Sequence, residues 1–344
     1  MRILHLAPLW YPVATDSFGG IETYLPTLID ALAELGCEQT LLASGDSRTS
    51  AELIAVRERS IGELMQSGEA WEIGPYEHQQ LTMAVALAGA FDVVHSHLGW
   101  GGFVLSGLQS VRDRTLHTLH NDITPDVVWF VRRNPLVPLT VVSNFQFERL
   151  RQAGARRCLV VPNGIALERF PFSTSPGETL AFLGRIEPAK GPDLALEAAR
   201  RLGRPLVLAG VITDDDFFAA RIEPALDDHV RYAGVLDHAA KCALLTNAAC
   251  TLMPSRWEEP FGLVALESQA CGTPVVALAN GGLPEVIEPG VTGYLAAGEE
   301  GLAPLVDASL KLDRQTVRRR VGERFSAHAI ATRYLSVYEQ IAGR

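Results

Sequence analysis

No run of 18 apolar residues occurs without a charge or a turn residue, so the pattern contains no membrane-spanning helix. Cysteine is scarce. The five present (Cys37, Cys158, Cys242, Cys250, Cys271) are scattered, odd in number and never spaced C-x-x-C. That excludes a disulfide framework and a zinc ribbon, and predicts reduced, buried thiols in a cytoplasmic protein. Positive charge is also short: 30 Lys and Arg stand against 40 Asp and Glu, a formal net charge of −10. A general nucleic-acid binder is therefore not expected. The first half of the chain shows no dense Lys/Arg helix of the kind that binds a membrane surface, which favours a soluble partner. G-x-G-x-x-G and G-x-x-x-x-G-K-[ST] are missing, which argues against a dehydrogenase and a P-loop enzyme. No G-x-S-x-G elbow or Cys–His nucleophile signature is found. Met1-Arg2-Ile3-Leu4 leads directly into a strand-like pattern, with no signal peptide expected.

What is present is an alternation of short apolar runs with amphipathic stretches over 344 residues, enough for two domains. It predicts an α/β protein with parallel sheets. Strands are expected at Ile3–Ala7, Gln39–Ala43, Val93–Ser96, Thr115–Leu119 and Leu139–Val142. They resume at Leu180–Leu183, Leu206–Ala209, Val230–Ala233, Cys250–Met253 and Val275–Ala277. Ile21, Leu25, Leu28, Leu32 and Leu35 recur at helical spacing until Gly36, with Pro26 predicting a bent or delayed first turn. Phe325, Ile330, Tyr334, Tyr338 and Ile341 mark a last amphipathic helix. The Pro-, Gly- and Ser-rich run 162–178 reads as the linker. Domains are expected over residues 1–163, with 326–344 packing back on them, and over 164–325. A ligand cleft is expected between the halves, at the carboxyl ends of both sheets.

The chemistry concentrates in SRWEEPFGLVALESQACGTP, Ser255 to Pro274. Glu259 and Glu267 are separated there by seven residues. If Phe261–Ala270 is helical, eight residues of rise put them roughly 12 Å apart, beyond the about 5–9.5 Å of a glycosidase carboxylate pair. They better fit opposite ends of one elongated polar ligand, with the amides of Phe261, Gly262 and Leu263 facing phosphate between them. Alternatively Glu267 is an exposed helix residue and Glu259 a helix N-terminal charge. Arg185 and Lys190, in Gly184–Gly191, follow the second half's first strand, where a diphosphate can be divided between a guanidinium and an ammonium. Otherwise they are ordinary surface cations. Gly19-Gly20 precedes the first long helix and is either a tight turn or a place of close backbone approach.

His95, His97, His117 and His120 lie at the ends of two strands. A metal there is conceivable, but no Cys or carboxylate spacing supports a closed site, and none is expected. His120, followed by Asn121 and Asp122, is the best placed for a cleft. Asp214-Asp215-Asp216 is read as a helix cap rather than a chelating run. Trp100, Trp129 and Phe130 can stack on an acceptor or pack in the core.

Together these segments resemble a family 4 retaining glycosyltransferase of the GT-B fold, over nearly the whole chain. The resemblance rests on GGIETY at Gly19–Tyr24, DVVHSH at Asp92–His97, PNGI at Pro162–Ile165 and GRIEPAKG at Gly184–Gly191. It continues with the E-x7-E stretch, CGTPVVA at Cys271–Ala277, GGLPEVI at Gly281–Ile287 and the closing FSAHAIATRYLSVYE. The short chain is similar to compact members linked to oligosaccharide-antibiotic assembly of the avilamycin type. Two Rossmann-like doubly wound domains facing across a cleft are implied, with the terminal helix crossing back. The second domain would bind a UDP- or GDP-sugar and the first would supply the acceptor side, including Asn121, Asp122 and Trp129. Arg185 and Lys190 would hold the diphosphate, Glu267 the ribose, and Glu259 with the Phe261–Leu263 amides the sugar. Val235 and Leu236 would border the base, Gly19 and Gly20 would close over the phosphates, and His120 would approach the sugar. The implied reaction is metal-independent retaining transfer by front-face substitution, needing no cofactor beyond the sugar nucleotide. The acceptor would be a small molecule, an oligosaccharide or a lipid-linked hydroxyl, with the protein cytoplasmic or peripheral at the inner membrane face. A nucleotide-sugar 2-epimerase and a non-catalytic nucleotide-sugar binder share this architecture. Nothing in the pattern fixes an oligomeric state.

Overall fold

The computed structural model describes residues 1–343. The chain divides into two compact units, Met1–Gly164 with Ala327–Arg344, and Ile165–Ser326. In the first, seven strands follow one another: β1 Arg2–Leu6, β2 Glu38–Ala43, β3 Glu52–Ala55, β4 Val93–Ser96, β5 Thr115–Leu119, β6 Leu139–Val141 and β7 Cys158–Val160. They form one parallel sheet in the order β3-β2-β1-β4-β5-β6-β7. In the second unit β8 Leu180–Leu183, β9 Leu206–Ala209, β10 Val230–Tyr232, β11 Cys250–Met253, β12 Val275–Leu278 and β13 Gly293–Ala296 pair in the order β10-β9-β8-β11-β12-β13, again all parallel. Both are doubly wound. In each the order reverses beside the unit's first strand, at β1/β4 and at β8/β11, and such switch points leave a crevice outside the strand ends.

Three strands lie outside the expected set: β3, β7 and β13. All are sheet edges. An edge strand has one neighbour and partial solvent exposure, so it needs no continuous apolar run; β3 is half-exposed along its length.

The first long helix, Gly20–Glu34, starts neither late nor after Pro26 but runs through it. Proline at that position removes the bond to the Glu22 carbonyl, normally a cost of about 3 kcal/mol. Here the Ala14 amide donates to that carbonyl at 3.2 Å, so the acceptor stays paired. The helix stops as expected at Gly36, whose φ of +80° lets its own amide reach Ala33 and the Cys37 amide reach Leu32.

The C-terminal apolar stripe belongs to two helices, Arg314–Phe325 and Ala327–Ala342, with a break at Ser326. Phe325 ends the first of them and packs edge-on against Phe261 in the second unit. Ile330, Tyr334 and Tyr338 bury themselves in the first unit with Tyr24 and Leu28 of the Gly20–Glu34 helix. The expected linker is much shorter than the Pro/Gly/Ser run. Ile165 donates to Phe325 at 2.8 Å and bridges Ser326, and Phe170 is buried in the second unit. All five cysteines are free and buried. No helix among the described residues is long and apolar enough to cross a membrane.

Candidate functional site

In the second unit the site residues hang from the two strands at the switch point. After β8 the chain runs through Arg185 to a tight turn at Pro188–Lys190. Gly191 follows with φ +70°, and a Cβ there would meet the Pro254 carbonyl at 2.2 Å, so only glycine lets the two loops approach this closely. After β11, residues 254–259 are stapled onto that turn. Arg256 forks onto Asp193 at 2.8 and 3.0 Å and also reaches the Pro188 carbonyl, while its amide donates to Ala189. Ser255 Oγ donates to the Ala189 carbonyl at 3.4 Å.

This arrangement brings Lys190 and Glu259 together, Nζ to Oε1 at 2.5 Å. Arg185 turns to Glu187 at 2.9 Å. Both cations face the ring of Trp257, at 5.9 Å for Arg185 and 5.0 Å for Lys190, and the buried indole nitrogen has no hydrogen-bond partner. Each cation therefore carries its own carboxylate before any anion arrives. The unpaired indole N–H of Trp257 adds a third hydrogen-bond donor beside them.

The helix that follows covers Leu263–Ala270, not Phe261–Ala270, with Gly262 as N-cap at φ +105° and no side chain capping it. Only four residues of rise, about 6 Å, then separate Leu263 from Glu267, and the 12 Å spacing based on a helical Phe261 does not hold. What separates the two glutamates chemically is their partners. Glu259 is tied to Lys190, and its carbonyl accepts from Gly282 at 2.6 Å; Glu267 meets Lys241 at 2.5 Å. Glu267 is thus no exposed helix residue. Phe261 is buried, with a packing role in addition to any from its amide. Val235 is half-exposed and Leu236 partly buried in the loop after β10. Asp214 accepts from the Phe217 amide at 2.9 Å, a cap and not a chelator.

In the first unit Gly19 is the N-cap of the Gly20–Glu34 helix in ordinary extended geometry, φ −77°. Its lack of a side chain serves a neighbour, because a Cβ would sit 1.8 Å from Oε2 of Glu22. Burial pushes the Glu22 carboxyl up to about 7, partly opposed by its backbone hydrogen bond. Gly20 is exposed.

Five histidines lie on, or just past the carboxyl ends of, this sheet's central strands β1, β4 and β5. His5 and His95 are register partners on β1 and β4. His97 lies between His5, at 3.4 Å, and His120, at 3.0 Å. His95 bonds Tyr338 at 2.7 Å and Thr118 at 2.6 Å, and His117 meets Ser106. Burial lowers all five, to about 4 for His5 and His120 and about 3 for His117. His5, His95 and His97 bring ligand atoms within 4.8 Å of one another, close enough to hold a metal. All six of their ring nitrogens already have hydrogen-bond partners, which describes a polar network rather than an open ligand set. Asn121 is exposed and offers its carbonyl to Gln146, Asp122 is partly buried, and Trp129 is exposed with Arg133 over its ring at 4.3 Å. Trp100 is exposed, whereas Phe130 stacks on Phe103.

Lys241, Trp257, Glu22, His5 and Gln39 were not among the expected site residues. Trp257 and Glu22 carried a signal, lying inside stretches already singled out; Lys241, His5 and Gln39 join through tertiary contacts.

Two doubly wound parallel sheets, the second with charged loops at its switch point, place the chain in the α/β class whose ligands bind outside the carboxyl ends of the strands. Residues 18–169 match the model of Glycosyltransferase Family 4, and residues 168–325 that of Glycosyl transferases group 1. A D-inositol 3-phosphate glycosyltransferase of Actinosynnema mirum is 30% identical, covering 86% of this chain and 84% of that protein. A glycogen synthase of Mycobacterium tuberculosis is 33% identical over 74% of this chain and 65% of its own length. Among solved structures, a glycosyltransferase involved in avilamycin A biosynthesis superposes with a TM-score of 0.79 at 23% identity, covering 100% of this chain and 99% of its own. Anabaena HepE, solved with UDP-glucose, gives 0.75 at 18%, covering 99% and 100%. The chain belongs to glycosyltransferase family 4, with the GT-B fold, and is an enzyme that transfers a sugar from a nucleotide sugar.

Proposed function

We propose that the chain is a retaining, metal-independent glycosyltransferase that moves a hexose from a UDP- or GDP-sugar to a hydroxyl acceptor by front-face substitution. The observation that carries this is the group at the β8/β11 switch point: Lys190 and Arg185 over Trp257, with Glu259 held against Lys190. A diphosphate supplies an acceptor for the unpaired indole N–H and anionic oxygens that compete with Glu187 and Glu259 for the two cations. Glu259, released from Lys190, then accepts from sugar hydroxyls next to the phosphate, as a sugar bonded to that phosphate requires. The uncapped start of the Leu263–Ala270 helix adds amide donors at the departing charge. Glu267, with one oxygen on Lys241, keeps its second for a ribose diol. Val235 and Leu236 offer an apolar edge for the base. In the first unit His120 is the proposed contact for the sugar, with Gly19 and Gly20 as phosphate contacts and Asn121, Asp122 and Trp129 on the acceptor side.

In the reaction the bond from the anomeric carbon to the phosphate oxygen breaks with its electron pair going to the diphosphate. The acceptor oxygen attacks from the same face, and its proton passes to the departing phosphate oxygen. Glu259 forms no bond to the sugar. Structures with UDP-glucose bound, such as HepE, support the donor class; the sugar and acceptor of this chain are open to a thermal-shift screen of nucleotide sugars. Lys190→Ala tests the clamp: affinity for UDP or GDP should fall at least tenfold while affinity for the nucleoside stays within twofold. Equal losses for both would refute it. Epimer formation from the donor without acceptor, or a glycosyl–enzyme adduct on Glu259, would overturn the transferase mechanism.

A further inference from the structure

A line of hydrogen bonds crosses four adjacent strands of the first sheet, and its polarity is fixed at one end. It begins at the backbone carbonyl of Ile29, which can only accept. Gln39, on β2, donates Nε2 to that carbonyl at 2.8 Å. Its Oε1 is then the atom facing His5 Nε2, at 3.0 Å, because the flipped amide would set oxygen against oxygen. His5, on β1, must therefore carry its proton on Nε2.

The rest follows ring by ring. His5 is fully buried, and burial disfavours the imidazolium. Neutral His5 leaves a lone pair on Nδ1, which faces His97 Nε2 at 3.4 Å. His97, just past β4, must donate from Nε2. It too is buried and neutral, so its Nδ1 is an acceptor, and it lies 3.0 Å from His120 Nε2. His120, just past β5, must likewise donate from Nε2. Its Nδ1 is left with a bare lone pair and no protein partner among the described residues. The neighbouring His95 does not share this determinacy, since its partners Tyr338 and Thr118 are hydroxyls that can give or take.

We propose that the Ile29 carbonyl, Gln39, His5 and His97 act as positioning groups that lock His120 in the Nε2–H tautomer. His120 thereby offers its ligand a hydrogen-bond acceptor. Its partner is then a hydroxyl, as on a sugar, and not a phosphate oxygen, which would need a donor. The tautomer lock stands on the first unit's geometry alone; the sugar as its partner rests on the function proposed above.

The test is ring-15N histidine spectroscopy of the full chain near pH 7.5, with long-range N–H correlations and each ring assigned through its His→Gln variant. His5, His97 and His120 should all show a protonated Nε2 and an unprotonated Nδ1. A His120 proton on Nδ1, or an imidazolium, would overturn the lock without any variant of the relay being needed. In Gln39→Met the anchor is lost and the relay can reverse, so His120 should become a mixture of tautomers. An unchanged His120 spectrum beside an altered His5 spectrum would also overturn it. The sugar contact is read separately, by adding UDP-glucose or UDP at concentrations where calorimetry shows binding. Movement of the His120 Nδ1 signal with UDP-glucose but not UDP supports the hydroxyl contact. No movement with either leaves the lock standing and removes the sugar from it.

Discussion

Replacing Glu22 by glutamine should stabilise the first unit at alkaline pH and do nothing at acid pH. The carboxyl is buried under Gly19, and its pKa rises from 4.5 to about 7 because burial opposes the charge. Between those values the folded state holds more protons than the unfolded chain, so stability falls as pH rises from about 4.5 to about 7. About 2.5 units at about 1.4 kcal/mol each gives a loss of about 3 kcal/mol, complete by pH 8. The position in the first turn of a helix favours the charged form by only about 0.3–1 kcal/mol, too little to reverse the sign. The buried histidines push the other way below pH 6.5, so the informative quantity is the difference between variant and wild type at each pH. Urea unfolding followed by tryptophan fluorescence reads mainly this unit, since Trp10, Trp71, Trp100 and Trp129 lie in it and only Trp257 in the other. With a slope of about 2 kcal/mol/M, Glu22→Gln should move the midpoint up by about 1.5 M at pH 8 and leave it in place at pH 4. A difference that stays flat with pH would show that the carboxyl is charged and solvated in the fold, and would refute the reasoning.

Glu259→Gln should depress turnover at least tenfold while leaving free UDP or GDP affinity at or above the wild-type value, because Lys190 loses the carboxylate that competes with phosphate; calorimetry beside initial rates checks this. The Arg314 side chain is buried and donates to the carbonyls of Ser173, Thr246 and Ala248 and to Thr273 Oγ1. Arg314→Met strands three buried acceptors and should cost the second unit about 3–5 kcal/mol, measurable as lost hydrogen-exchange protection there. Acid should weaken the first unit selectively. His5 and His120 titrate near 4 when folded and 6.5 when unfolded, so each adds stability above pH 6.5 that is lost as pH falls through about 4, up to about 3 kcal/mol per ring. His120→Gln should reduce that acid dependence.

The interior of the second sheet could be read from the chain because central parallel strands are buried on both faces and show as unbroken apolar runs, such as LAFL at β8 and VVAL at β12. In the first sheet RILHL, VVHS and TLHTL are legible from their apolar residues despite the buried His5, His95 and His117. Three of the four edge strands could not be read; the fourth, β10, is the one expected at Val230–Ala233. ELIA at β3, CLV at β7 and GYLA at β13 each have one strand neighbour, and nothing in their composition demands burial. Pro26 misled for a related reason. Its penalty is local, but its remedy, the Ala14 amide on the Glu22 carbonyl, comes from a loop outside the helix.

At the site, the rule that worked and the one that failed differ in what they require. Placing Arg185 and Lys190 needed only the position of a strand end, and the β8/β11 switch point lies there whatever the loops do. Measuring Glu259 to Glu267 by helix rise needed the helix to begin at Phe261. It begins at Leu263 because Gly262 takes a φ of +105°, packed so closely on Leu283 that a Cβ would lie 2.6 Å from that side chain. Glycine makes that conformation available without requiring it, so the FG step could be read equally as first turn or as cap. The ion pairs resolve what spacing could not. Two carboxylates acting on one bond must share a proton economy, yet Glu259 is committed to Lys190 and Glu267 to Lys241, each at 2.5 Å. Each carboxylate is held by its own cation, and in the proposed reaction Glu259 serves as an acceptor for sugar hydroxyls, not as an acid. The proton released by the acceptor must then go elsewhere, and in the proposed reaction the departing phosphate takes it.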